Sequence, residues 1–215
     1  MKPQVTVIDY GRSNLLSVQR ALEHCGGQVS FARTPEQVMA AHRLLLPGVG
    51  AFADGMEALA RQGLARPLVE KAQAGTPLLA ICLGMQMLFD SSTEGGFRPG
   101  LGLIPGQVEQ LPSTDVIGQP QPVPHIGWNL LLPSSGRADF SDSLLRGIRP
   151  REEVYFVHSY AAKPACPQDR LADTLYGGRP VCAAVQRGRI LGCQFHPEKS
   201  AGTGLAIIRT FLQIN

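Results

Sequence analysis

Apolar positions along this chain follow two rhythms. In the first half, short unbroken apolar runs alternate with stretches where apolar residues recur every three or four positions. Residues 5–8, 28–32, 43–46 and 78–81 read as buried strands. Leu15, Leu16, Val18, Ala21 and Leu22 recur at helical spacing, with Asn14 or Ser13 as the N-cap and Gly26-Gly27 as the stop. Residues 56–74 are helical in pattern, and 83–89 form a helix directly after strand 78–81. Strands that alternate with helices in this way predict a parallel sheet covered on both faces.

The second half changes character. Residues 106–111, 126–132, 154–161, 171–176, 181–186 and 190–195 read as strands separated by turn residues, and 204–212 as a closing helix. Pro112, Pro120, Pro122 and Pro124 make 112–124 a loop. There is no internal repeat and no interdomain linker. The pattern predicts one α/β domain over residues 1–215, with a mostly parallel core and a mixed or antiparallel annex.

Composition narrows the function. The 215 residues are 44% hydrophobic and 17% charged, with a net charge of +3 and no Lys/Arg-rich run. That argues against a nucleic-acid partner. Cysteines stand at 25, 82, 166, 182 and 193 without a CxxC pair. Neither a structural zinc site nor a disulfide framework is expected, so the reading is no metal, reduced thiols and a cytoplasmic protein. The N-terminus reads as a first strand rather than a signal peptide. The longest uncharged stretch, residues 72–89, falls short of the ~20 apolar residues of a membrane span.

Candidate chemistry begins at Cys82, where an apolar run meets a single thiol with Gly84 two places on. This is how a buried strand reads when it bends sharply into a helix with a nucleophile at the bend. A helix start beside an imidazolium lowers a thiol's pKa. The chain supplies an imidazole in His196-Pro197-Glu198, after a second apolar run. If that segment is extended, residues two apart point the same way, and Glu198 can orient His196 as a general base. A third piece, Pro47-Gly48-Val49-Gly50, follows an apolar strand and offers backbone N–H groups to an oxyanion. No GxGxxG or P-loop is present, so a nucleotide site is not supported.

The Cys82-Leu83-Gly84-Met85-Gln86 elbow, the 47–50 loop and Gln194-Phe195-His196-Pro197-Glu198-Lys199-Ser200 resemble the class I (triad) glutamine amidotransferases. Four further stretches resemble the glutaminase subunit of imidazole glycerol phosphate synthase. They are the opening around Asp9-Tyr10-Gly11, the 124–129 segment, the 155–160 segment, and the Glu198-Lys199-Ser200 ending. The resemblance implies a flavodoxin-like three-layer sandwich. It implies that Cys82 attacks the glutamine amide, His196 shuttles the proton and Glu198 orients His196. It implies an oxyanion hole from Leu83 and the Gly48-Val49 peptide, and glutamine contacts from Gly50, Gln86, His158 and Ser159. No cofactor is implied. Ammonia would pass to a TIM-barrel cyclase partner in histidine biosynthesis, with Asn14, Trp128, Tyr155 and Lys199 facing that partner. Read without the family, Trp128 is equally a core aromatic. The chain departs from the family pattern at Ala80, Ser13 and Leu16, and the last two bear on partner contacts. Alternatives are a glutaminase feeding the anthranilate, carbamoyl phosphate or pyridoxal phosphate systems, a non-catalytic binding module on the same fold, or a standalone cysteine hydrolase.

Overall fold

A computed structural model describes residues 2–214; Met1 and Asn215, the ends of the span expected to form one domain, lie outside it. The first half follows the predicted rhythm. β1 (Gln4–Ile8) leads to α1 (Leu15–His24), β2 (Gln28–Ala32), α2 (Pro35–Met39) and β3 (Leu44–Leu46). Asn14 is the N-cap of α1, its side chain accepting from the Ser17 N–H. The five-residue α2 is too short to show a period, and forms on a capping box between Thr34 and Gln37.

Several expected elements divide. The helix expected over 56–74 is two, α3 (Phe52–Arg61) and α4 (Ala65–Gln73). Gly63 between them takes φ +70°, and the Leu64 N–H bonds back to the Leu59 carbonyl at 2.9 Å, a glycine-terminated helix end. β4 (Leu78–Ile81) runs straight into α5 (Leu83–Met87). That helix stops short of Phe89, which instead opens β5 (Phe89–Ser92) and pairs with Ile104. β6 (Arg98–Pro99) and β7 (Ile104–Gln110) follow. The strand expected over 126–132 becomes β8 (His125–Leu130) and β9 (Leu132–Pro133), parted by fully buried Leu131. The strand expected over 154–161 breaks at Ser159 into β10 (Glu153–His158) and β11 (Tyr160–Pro164). β10 pairs with β8 in a two-stranded ribbon, whereas β11 joins β7 in a four-stranded sheet. β12 (Arg170–Tyr176), β13 (Arg179–Arg187), β14 (Ile190–Cys193) and α6 (Ala201–Leu212) complete the chain.

The main sheet has the order β2-β1-β3-β4-β14-β13-β12-β9. Its first five strands are parallel and the remaining pairings antiparallel. The parallel part has the flavodoxin-like order, whose ligand crevice lies at the carboxyl ends of the strands. Period-two alternation sorts side chains to the two faces. Leu78 and Ala80 of β4 pack with Leu59 and Leu68 of α3 and α4. Leu79 and Ile81 pack with Leu22 of α1 and Phe211 of α6. Fully burying a leucine contributes roughly 1.5–3 kcal/mol, so β4 is among the most firmly fixed elements.

The close pass of β3 over α5 requires a glycine. A Cβ on Gly84 would stand 2.0 Å from the Leu46 carbonyl oxygen. Backbone cannot retreat cheaply here, because Leu46 is paired in the sheet. Gly84→Ala is therefore expected to destabilise the fold by about 1–3 kcal/mol through overpacking. A urea midpoint equal to that of the parent protein would contradict this.

Candidate active site

Cys82 terminates β4 with φ 55° and ψ −111°, a conformation that non-glycine residues adopt only when their surroundings impose it. Its N–H is fixed by the Cys193 carbonyl of β14 at 2.7 Å. α5 begins at the next residue, and the first N–H groups of a helix have no intrahelical partner. The 47–50 loop lies over this helix start. A Cβ on Gly48 would meet the Tyr10 hydroxyl at 2.5 Å and the Gly84 nitrogen at 2.9 Å. Tyr10 in turn donates to the Pro47 carbonyl at 2.8 Å.

His196 and Glu198 meet as expected, but by a different path. Residues Pro197–Lys199 form a 3₁₀ turn rather than an extended segment. Proline's fixed φ suits either course, and here the turn closes with the Lys199 N–H on the His196 carbonyl at 2.9 Å. Glu198 Oε1 lies 2.7 Å from His196 Nδ1, with the two side chains only 2% and 3% exposed. The turn rests on α6, where a Cβ on Gly204 would stand 1.9 Å from the Pro197 carbonyl oxygen. Ser200 Oγ donates to the His196 carbonyl at 2.7 Å and accepts from the Tyr155 N–H at 3.0 Å. The Tyr155 carbonyl accepts the His196 N–H at 2.9 Å. The imidazole is thus tied to β10 through its own backbone.

Burial alone would lower the pKa of His196. The Cys82 thiol and the Glu198 carboxylate outweigh it and raise the value to about 10. His196 Nε2, the ring nitrogen on the Cys82 side, is buried and has no partner at regular hydrogen-bond geometry. The sulfur instead contacts the Val157 carbonyl and Gln194 Nε2, each at 3.8 Å. Cys182 and Cys193 are different. Burial pushes both thiols up, Cys182 to about 12, so neither offers a thiolate near neutral pH.

Cys82, Leu83 and His196 line a cavity of about 360 Å³ together with Val49, Gly50, Gln86, His158 and Ser159. Ser159 is where the chain leaves one sheet for another. Hydrogen bonds limit what these side chains offer. His158 Nδ1 lies 2.9 Å from the Tyr160 carbonyl, so Nδ1 carries the proton. Nε2 then accepts from His125 Nδ1 at 3.1 Å, and His125 Nε2 accepts from Asn129 Nδ2 at 3.3 Å. Burial, foremost, lowers both histidines to about 4, so the chain stays neutral. His158 therefore has no ring nitrogen free for a ligand. Gln86 spends its Nε2 on the Tyr160 carbonyl and Gln194 Oε1, which leaves Oε1. The Val49 N–H, expected at the oxyanion, bonds the Arg12 carbonyl at 3.1 Å.

The sequence reading missed Glu94, the one carboxylate among the cavity's lining residues. Glu94 Oε2 accepts the Phe52 N–H at 2.7 Å, capping α3 where Ala51 has no side chain to do so. It sits in an aperiodic turn, so only the fold reveals it. Trp128 is 51% exposed and is not a core aromatic. It packs edge to face on Tyr155 at 6.0 Å. Asn14, Lys199 and Leu16 are exposed, and the Ser13 hydroxyl is buried without a partner.

Residues 6–214 match the family model for glutamine amidotransferase class-I. The chain belongs to the class-I glutamine amidotransferases. Among curated relatives of this amidotransferase, the imidazole glycerol phosphate synthase subunit HisH 1 of Legionella pneumophila (strain Lens) is 50% identical over 210 residues, covering 98% of this chain and 99% of that protein. The HisH subunit of Moorella thermoacetica is 43% identical over 212 residues, covering 98% and 94%. Among solved structures, PurLQS from Thermotoga maritima superposes with a TM-score of 0.74 at 20% identity, covering 99% and 98%. That likeness bears on the fold alone. No helix of the described residues is long and apolar enough to cross a membrane.

The raised His196 pKa has a consequence for stability. An imidazolium favoured by folding stabilises fully below the unfolded pKa of about 6.5, and that contribution is lost as pH rises towards the folded value. Glu198→Gln weakens the effect. The parent's stability advantage over Glu198→Gln, read from urea midpoints, is expected to shrink steadily from pH 6.5 towards pH 10. An advantage that is constant or grows over that window would contradict the assignment.

Proposed function

We propose that residues 1–215 act as one glutaminase domain, the glutamine-hydrolysing subunit of imidazole glycerol phosphate synthase in the cytoplasm. The observation that carries the reading is the meeting of Cys82 and the His196–Glu198 pair on one cavity at the carboxyl rim of the sheet. Relatives at 43–50% identity over nearly the whole chain bear the name of that subunit.

In the mechanism the Cys82 thiol gives its proton to His196 Nε2, and the sulfur attacks the side-chain amide carbon of glutamine. The carbonyl electrons move to oxygen, where the Leu83 N–H donates. His196 protonates the leaving nitrogen, the C–N bond breaks and ammonia departs, leaving a γ-glutamyl thioester. Water then attacks the thioester, His196 takes its proton, and glutamate leaves as the sulfur regains its electron pair. Glu198 holds the imidazole through both steps. Gln86 Oε1 and the Glu94 carboxylate are acceptors suited to the α-ammonium of glutamine.

The second oxyanion donor requires rotation of the Gly48–Val49 peptide away from the Arg12 carbonyl. Missing one such donor costs about 2.7–4 kcal/mol, or roughly 10²–10³ in kcat. Hydrolysis is slow until a partner turns that peptide. Val49, Ile126 and Trp128 present exposed apolar side chains. With Asn14, Tyr155 and Lys199 they form the face that receives a TIM-barrel cyclase as a heterodimer, which consumes the ammonia.

Cys82→Ala is expected to abolish glutamine-dependent imidazole glycerol phosphate formation in a mixture with the cyclase. Ammonium salts are expected to support the same reaction at the parent's rate. Loss of the ammonium-dependent rate would mean that Cys82 serves assembly rather than hydrolysis.

A further inference from the structure

Behind Cys82 two carboxamides are buried in the core. Gln194 is completely buried and Gln86 is 5% exposed. Burying an amide without partners costs roughly 1–3 kcal/mol, so their bonds decide whether they are tolerated. The Tyr160 carbonyl is an acceptor only, which fixes the polarity of everything attached to it. Gln86 must turn its nitrogen to that oxygen, at 2.9 Å. Its second N–H donates to Gln194 Oε1 at 3.0 Å. With Gln194 Oε1 accepting, the atom that faces Cys82 Sγ at 3.8 Å is Nε2, a donor. Reversing either amide would set two acceptors or two donors against each other.

The sulfur's other polar neighbour is the Val157 carbonyl, also at 3.8 Å. A thiol can donate to that oxygen, but a thiolate cannot, and would face a partial negative charge. The Gln194 N–H is the neighbouring group whose bond strengthens when the sulfur becomes charged.

We propose that Gln194 is a further catalytic residue, whose buried Nε2–H supports the Cys82 thiolate, and that Gln86 and the Tyr160 carbonyl are the positioning groups that aim it. The proposal rests on Cys82 being the nucleophile and assigns it a thiolate donor besides His196. The donor comes from inside the protein, so it acts whether or not glutamine is bound and whether or not the 47–50 loop has turned. Gln86 thereby links the glutamine cavity to the electronic state of the sulfur.

Alkylation of Cys82 by iodoacetamide, followed by peptide mass spectrometry on the chain alone and mixed with the cyclase, tests this. Gln194→Met keeps the volume and removes the amide. It is expected to slow Cys82 alkylation at neutral pH about tenfold, in keeping with a hydrogen bond to a charged group. At strongly alkaline pH, where the thiol ionises unaided, parent and variant are expected to react equally. That equality separates a charge effect from altered access. Should Gln194→Met not fold, Gln194→Asn retains an amide but withdraws it from the sulfur, and the same loss is expected. A folded variant that alkylates at the parent's rate at neutral pH overturns the proposal. So does a slowing that persists unchanged in alkali. Cys82→Ala run alongside keeps the questions apart: retained glutamine hydrolysis there would sink the nucleophile reading itself, whatever Gln194 does.

Discussion

The bend at Cys82 is the constraint on which the rest depends. A strained backbone of this kind costs on the order of 1–3 kcal/mol. The residues before it, Leu78 to Ile81, are almost entirely buried, and their burial exceeds that cost several-fold. The bend is therefore held by packing rather than by local preference. Three close approaches confine it. The Cys193 carbonyl takes its N–H, Leu46 presses on Gly84, and Tyr10 presses on Gly48. All come from neighbouring strands or the loops that leave them. The sheet order is thus a direct determinant of where the sulfur sits.

In the proposed reading, the site at this rim is poised rather than complete. His196 is bolted to β10 by Ser200 and the Tyr155 carbonyl. Tyr155 stands opposite Trp128 in the β8–β10 ribbon, so an aromatic pair, Trp128 exposed and Tyr155 half-buried, sits one backbone bond from His196. The Val49 N–H is turned to Arg12. A partner that presses on this rim reaches both the imidazole's anchor and the oxyanion loop. In the proposed reading, slow hydrolysis without a partner follows from this one hydrogen bond, Val49 N–H to the Arg12 carbonyl, with no separate inhibitory element required.

Much of this was legible in the sequence where one physical signal dominated. Buried parallel strands announce themselves as unbroken apolar runs, and the thiol at the end of one such run marked the elbow. The Cys82, His196 and Glu198 set was readable because each lies at the end of such a run. What escaped were features set by tertiary contact. Gly63 splits a continuous helical pattern because its φ, not its hydropathy, matters. The division at Ser159 is invisible because both halves are β-like and only their partners differ. Glu94 and Gln194 carry no periodic signal, and their roles arise from neighbours distant in sequence. The route by which Glu198 reaches His196 was also misread, since an extended segment and a 3₁₀ turn can deliver the same pair.

The most direct test is to trap the covalent intermediate. The chain, mixed with the cyclase and its ligand, is quenched in acid during glutamine turnover and digested, and the peptides are weighed. The account predicts a γ-glutamyl adduct on the peptide that contains Cys82 and on no other cysteine peptide. Glutamate formed at the normal rate with no adduct at Cys82, or with an adduct on another cysteine, would contradict it.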